Sequence, residues 1–123
     1  MDWRGGVDDP VAAFSTIGIL LVPSLAEGLG LVLLEAAVLG VPAIASDVGG
    51  TSETVHPQNR HLLLVPAERR NDTTEWAWRI RALSDRSTAE HVVALQRWWI
   101  REKFDPQALV EMLIATMEEV SCR

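Results

Sequence analysis

Cysteine is nearly absent from this chain of 123 residues: Cys122, close to the C-terminus, is the only one. No intramolecular disulfide can form, and no Cys/His spacing suits a metal. Such usage fits a reducing compartment. Cationic residues are scarce as well. Eleven Lys and Arg stand against seventeen Asp and Glu, a net charge of -6. The cations are scattered, with Arg69-Arg70 the one adjacent pair. A nucleic-acid surface, which needs clustered Lys and Arg, is thereby excluded, and Arg69-Arg70 reads as a solvated loop. The three histidines, His56, His61 and His91, have neither metal-ligand spacing nor a neighbouring nucleophile. Long apolar runs are missing too. No stretch reaches the roughly 18 residues of a membrane span. Met1-Asp-Trp-Arg-Gly-Gly lacks the basic-then-apolar order of a signal peptide. These absences lead us to expect a soluble, cytoplasmic chain without a transmembrane segment. Internal repeats, low-complexity tracts and linkers are also lacking.

What is present is globular. The chain is 48% hydrophobic and 23% charged, enough for one real core and no more than one domain. Asp8-Asp9-Pro10 opens a short helix over Val11 to about Thr16, and Trp3-Arg4-Gly5 before it reads as the end of a strand. Ile17 to Val22 is apolar almost throughout, the pattern of a strand covered on both faces in a parallel sheet. Leu31 to Leu39 predicts a buried helix, stopped by Gly40 with Pro42 soon after. Val41 to Ala45 predicts a second strand. Thr51 or Ser52 then caps one helical turn holding Glu53, and His56-Pro57-Gln58-Asn59 is a turn. Leu62 to Val65 predicts a third strand ended by Pro66.

From Asp72 onward the pattern is helical. Asp72 caps a helix with Glu75 three residues on, and Trp76, Ile80 and Leu83 share a face. A second helix, about Thr88 to Lys103, carries a stripe of Ala89, Val92, Val93, Trp99 and Ile100. A third starts at Asp105-Pro106 and carries Leu109, Leu113, Met117 and Val120. Adjacent Trp98 and Trp99 cannot both face one core, so one covers a neighbouring surface. Alternating strands and helices with a helical tail predict an α/β fold with a small parallel sheet.

The stretch Glu27-Gly-Leu-Gly-Leu-Val-Leu-Leu-Glu35 carries the chemistry. Gly28 and Gly30 let a ligand approach the backbone where a helix begins, and free N–H groups there favour phosphate. The loop follows a strand, on the rim where open α/β sheets bind ligands. Glu27 is placed to accept hydrogen bonds from ligand hydroxyls. Glu35 lies more than a turn inside an apolar helix, where a lone carboxylate needs a polar cleft or a vicinal diol. Blander readings stay open. Glu27 also suits a helix N-terminal acid, Glu35 the single exposed position of a surface helix, and the glycines plain turn geometry. Gly49-Gly50 is a second glycine loop after a strand, either on the same rim or a simple turn.

These residues resemble a known family. Pro23-Ser24 through Glu35-Ala36, then Gly40-Val-Pro-Ala-Ile-Ala-Ser-Asp-Val-Gly-Gly50 and Glu53, are similar to the retaining glycosyltransferases of family 4, GT-B enzymes with two Rossmann-like domains facing a cleft. Gly5 to Pro10, Leu62 to Pro66 and Lys103 to Pro106 extend the likeness, so nearly the whole chain is covered. The resemblance implies that residues 1–123 form a single partial domain. It would be the later part of the C-terminal, nucleotide-sugar-binding domain, with the N-terminal acceptor domain absent. It implies a catalytic role for Glu27, contacting the donor sugar. Gly28, Leu29 and Gly30 would lend backbone to the sugar and phosphate, the N–H groups of Leu31 and Val32 would face the diphosphate, and Glu35 would bind the ribose. It implies a nucleotide diphosphate sugar as substrate, no cofactor and no metal. Departures accompany the likeness: Leu29 stands for the usual Phe, Thr51-Ser52 for the usual apolar-Pro pair, and His61 for a common glycine. The basic residues that normally meet the diphosphate have no counterpart here. The expected function is therefore a glycosyltransferase donor-domain fragment for retaining hexose transfer to an acceptor hydroxyl, inactive alone. The alternatives are a non-catalytic interaction or oligomerisation module, or a subunit that complements a separate glycosyltransferase chain.

Overall fold

A computed structural model describes residues 5, 6, 8–105, 107, 110, 111, 114, 115 and 118. Helix α1, Pro10–Phe14, begins as its sequence dictates: the Asp9 carboxylate accepts from the Ala12 N–H, and Pro10 occupies the first turn. Strand β1 is confined to Leu20–Val22, shorter than the expected Ile17 to Val22. The cause lies in its neighbour. Pro42 has no N–H, and the Val41 N–H is committed to the Ala36 carbonyl, so pairing starts only where Leu20 donates to the Pro42 carbonyl and aligns with Ala43. Ile17 and Ile19 still pack on the core.

Helix α2, Leu31–Leu39, lies between two left-handed glycines, Gly30 at φ 74° and Gly40 at φ 77°. Gly40 closes it through N–H bonds to the Ala36 and Ala37 carbonyls. Strand β2, Ala43–Asp47, follows, buried except at Asp47. A 3-10 turn over Thr51–Thr54 has Gly50 at its N-cap, not Thr51 or Ser52. The Thr51 hydroxyl bonds backward to the loop instead.

The expected third strand needs correction. Leu62 and Leu63 belong to a helical turn, α3, Arg60–Leu63, and strand β3 is Leu64–Pro66. All four residues from Leu62 to Val65 are buried, and a short run of buried apolar residues reads alike in either state. Helix α4, Thr73–Leu83, is capped by Asp72, whose carboxylate accepts from the Thr74 N–H. Glu75 does not complete a capping box; it pairs with Arg79 and Arg69. Helix α5, Arg86–Lys103, starts two residues before the expected Thr88, because Asp85 accepts the Thr88 N–H.

The three strands form one parallel sheet in the order β1-β2-β3, as expected of a partial Rossmann-like domain. Helices α2, α3 and α4 touch the central strand, and α5 packs on α2 and α4. Leu83 and Val92 enter the main core with Trp76 and Ile80 against it. Ile100 joins Leu34 and Ala37 in a second cluster beside Trp99, while Trp98 is 53% exposed. The adjacent tryptophans thus part as expected. Of the predicted C-terminal helix, Asp105 is not helical and the described positions from 107 onward are. Leu109, Leu113, Met117 and Val120 lie outside the described residues, as do Trp3-Arg4 and Cys122.

Candidate functional site

Because the strands are parallel, the loops that follow them open on one rim of the sheet. The loop after β1 carries Glu27 to Gly30, and the loop after β2 carries Gly49-Gly50. The two are in contact: the Gly50 N–H donates to the Gly28 carbonyl at 2.8 Å. A Cβ on Gly49 would lie 1.8 Å from the Glu27 carbonyl oxygen, and one on Gly50 2.4 Å from that of Gly28. Gly49-Gly50 therefore sits on the candidate rim, and its glycines are required because backbone meets backbone there.

Gly30 turns the chain into α2 in a left-handed conformation and offers no side chain to cap it. The Leu33 N–H returns to the Gly30 carbonyl at 2.9 Å. The N–H groups of Leu31 and Val32 have no acceptor among the described residues. Helices α4 and α5 differ, since Asp72 and Asp85 fill the same place in each. A start of this kind presents donors and partial positive charge to an anion.

Glu27 is half-buried, and the Ser24 hydroxyl donates to its Oε1 at 2.7 Å. The carboxylate is held within its own loop and does not cap α2. Glu35 lies one turn further along the helix from exposed Leu31, on the least covered stripe of α2. It is half-buried and has no hydrogen-bond or ion-pair partner among the described residues. Burial without a partner raises its pKa above the ordinary value. Gly28 and Leu29 are exposed, while Gly30 is buried against the Thr51 methyl group. The predicted residues are thus gathered on one loop and the first turns of one helix. An enclosed apolar cavity under α2, lined by Leu33, Ala37, Val55, Leu63 and Val92, touches none of them and is a packing void.

Several residues that hold this rim escaped notice in the sequence. Gln96 of α5 is buried, donates to the Thr54 carbonyl and accepts from the His56 N–H at 3.0 Å. Arg60 Nε donates to the carbonyls of Ser52 and Val55, and Lys103 Nζ to that of Glu53. One signal was available: Gln96 interrupts the apolar run Val92, Gln96, Ile100 at helical spacing, so a polar group had to face the core. His61 and His91 line a separate open groove between α3 and α5. His56 accepts the Gln58 N–H through Nδ1 and packs edge-on against Trp99. Among the described residues, no three His, Cys, Asp or Glu side chains converge to hold a metal ion.

Comparison with known proteins agrees with this architecture. The family described as "Glycosyl transferases group 1" matches residues 1–86. A D-inositol 3-phosphate glycosyltransferase of Nocardia farcinica is 37% identical over 73 residues, 59% of this chain and 15% of that protein. A protein of the same name from Saccharomonospora viridis is 35% identical over 95 residues, 70% of this chain and 21% of its own length. A 2-deoxystreptamine glucosyltransferase of Streptomyces kanamyceticus is 29% identical over 114 residues, 92% of this chain and 28% of its own. The chain thus spans less than a third of the length of each of these relatives. With the match running through both glycine loops and the three strands between which they stand, the chain belongs to the group 1 glycosyl transferases.

Proposed function

We propose that this chain is the later part of the donor-binding domain of a retaining, family 4 glycosyltransferase of the GT-B type, and that its rim binds a nucleotide diphosphate sugar. The uncapped start of α2 carries the proposal, because exposed Gly28, left-handed Gly30 and two unpartnered N–H groups stand beside a tethered carboxylate. The N–H groups of Leu31 and Val32 would hold the diphosphate. The backbone of Gly28, Leu29 and Gly30 would line the sugar and phosphate, Glu27 would accept from sugar hydroxyls, and Glu35 from the ribose diol. Charge builds on the departing diphosphate during transfer, so donors fixed in place before reaction lower the barrier most. No cofactor is needed for that chemistry. The relatives are named for different acceptors, D-inositol 3-phosphate and 2-deoxystreptamine, so the acceptor does not carry over. The chain alone should turn over no nucleotide sugar, and turnover by the purified chain would refute that part.

The test is titration with UDP, GDP, ADP and their glucose or mannose conjugates, followed through backbone amide shifts. Saturable shifts at Gly28 to Val32 that vanish in Glu35→Ala support the proposal and identify the base. A folded chain whose amides stay still at millimolar ligand rules it out for the isolated chain.

A second reading, completion by a separate polypeptide, draws on the open edge of the sheet. β1 pairs with β2 on one side, and its other side has no strand among the described residues. Leu21 on this edge is 45% exposed and Leu25 just beyond it 74%. Parallel sheets are ordinarily covered, so this edge suits a further strand from a complementing subunit or from a second copy.

A further inference from the structure

We propose that Gln96 is a positioning residue for the Glu27–Val32 loop, acting on it through the turn Thr51–Thr54. The inference rests on the donor-binding reading above and extends it to a helix remote in sequence. The loop has little support of its own: Leu25, Gly28 and Leu29 are exposed, and one side-chain bond, Ser24 to Glu27, ties it internally. Its external support is the backbone of Gly49-Gly50, which abuts the carbonyls of Glu27 and Gly28. Where that backbone lies therefore decides where the Leu29 to Val32 N–H groups point.

Gly49-Gly50 is in turn held from behind. The Thr51 hydroxyl accepts the Val48 N–H at 3.1 Å and bonds the Val48 carbonyl at 2.9 Å. The Thr54 hydroxyl donates to the Thr51 carbonyl at 2.8 Å. Beyond Thr51 the successive carbonyls of Ser52, Glu53 and Thr54 are taken by Arg60, Lys103 and Gln96. Arg60 and Lys103 are exposed; Gln96 is 7% exposed and grips two backbone groups at once. Its amide orientation is fixed, since Oε1 meets an N–H and Nε2 meets a carbonyl. A displaced Thr54 carbonyl would be left buried and unpaired, so the turn stays where Gln96 holds it. Small displacements at a binding loop are costly because the donors must meet their acceptors within a fraction of an ångström.

Gln96→Glu tests this with little change of shape. The ionised carboxylate still accepts from the His56 N–H but cannot donate to the Thr54 carbonyl; protonated, it can. The charged and titratable groups bonded to this turn or next to Gln96 in the chain are Glu53 on the turn, His56 just after it, Arg60 on α3, and Arg97 and Lys103 on α5. Wild type is therefore recorded at each pH. The Leu29 amide reports directly, because it shares a peptide unit with the Gly28 carbonyl that receives Gly50. At neutral pH we expect Gln96→Glu to move the Leu29 and Gly50 amides without ligand and to weaken UDP binding about tenfold. Both effects should shrink toward wild type as the pH falls toward the new carboxyl's pKa, about 4 for a free glutamate and raised by burial. Gln96→Met, of similar volume but without either hydrogen bond or a charge, should move the same amides at every pH, which decides the matter if Gln96→Glu does not fold. Shifts confined to Thr54–His56 and α5, with Leu29 and Gly50 unmoved, overturn the inference. So does unchanged UDP affinity in Gln96→Glu when the wild-type chain binds UDP. If the wild-type chain binds no nucleotide, the donor-binding reading fails, and the ligand-free amides still decide the positioning role.

Discussion

At the scale of single residues, the rim combines two kinds of constraint. Gly49 is fixed by sterics: it has φ 56°, and a Cβ there would lie 1.8 Å from the Glu27 carbonyl oxygen. Gly49→Ala must push the two loops apart as well as strain the backbone. We expect a loss of about 2–4 kcal/mol in urea unfolding, with the Glu27–Gly30 amides displaced. Gly28→Ala has open space around it and no positive φ, so it should cost far less. Glu35 is constrained in the opposite sense. Its burial without a partner disfavours the charged form and raises its pKa. Protonation is then easier in the folded than in the unfolded chain, so ionised Glu35 weakens the fold at neutral pH. Glu35→Gln should raise the urea midpoint at pH 7 while weakening any nucleotide binding about tenfold or more. A midpoint that falls instead would mean Glu35 has a stabilising partner.

At the scale of elements, the helices divide by how they start. Asp72 and Asp85 cap α4 and α5, and both carboxyls titrate below their ordinary values. Asp72 is held at about 2 by the Thr74 hydroxyl, Arg69 and the Thr74 N–H, and Asp85 is lowered by the N–H and hydroxyl of Thr88. Glu75 is lowered first by Arg79 and then by the Trp78 N–H and Arg69. Groups lowered by folding stabilise it while ionised. Their contribution is full above the unfolded values near 4 and is lost as the pH falls toward 2. The urea midpoint should therefore drop across that range, most steeply for wild type. Asp72→Asn with Asp85→Asn should flatten the drop, since Asn still caps but does not titrate. The Asp72 cap was legible in the sequence because a cap is a local rule, as were Gly30 and Gly40 at the two ends of α2; Asp85 was passed over, since the helix was expected to begin at Thr88, whose N–H Asp85 accepts. The switch from helical turn to strand within Leu62 to Val65 was not legible, because burial on every side removes the periodicity that separates the two. Nor was the role of Arg60 or Lys103, whose partners are backbone carbonyls that any sequence supplies. The candidate site was readable as far as it is continuous in the chain, Glu27 to Glu35. Its support from α5 spans more than forty positions and left one trace, a glutamine on an apolar stripe.

At the scale of the whole molecule, β1 and β3 are both edge strands among the described residues, and β1 is the less covered. β3 is buried at Leu64 and Val65, whereas β1 exposes Leu21 at 45% with Val11 and Leu25 also uncovered. Natural edges are usually blunted by Lys, Pro or a bulge, and Leu20-Leu21-Val22 has none of these. Five of the residues with large exposed apolar side chains, Val11, Leu21, Leu25, Leu29 and Leu31, lie in the stretch from α1 to the first residue of α2. This apolar surface thus adjoins the candidate donor rim. A cover over β1 would at once hide apolar surface and lend residues to the ligand site, which neither α4 nor α5 is placed to do. Without such a cover, the isolated chain should associate with itself as concentration rises, its net charge of -6 opposing but not preventing contact. Leu21→Lys puts a charge on the edge while removing a side chain that is already half in water. It should leave the urea midpoint within about 0.5 kcal/mol of wild type and suppress the concentration-dependent rise in mass seen by light scattering. If wild type stays monomeric at high concentration and Leu21→Lys unfolds, Leu21 packs within its own chain and the edge is not the docking surface. If wild type associates and Leu21→Lys does not, the β1 edge is the surface through which copies of the chain meet.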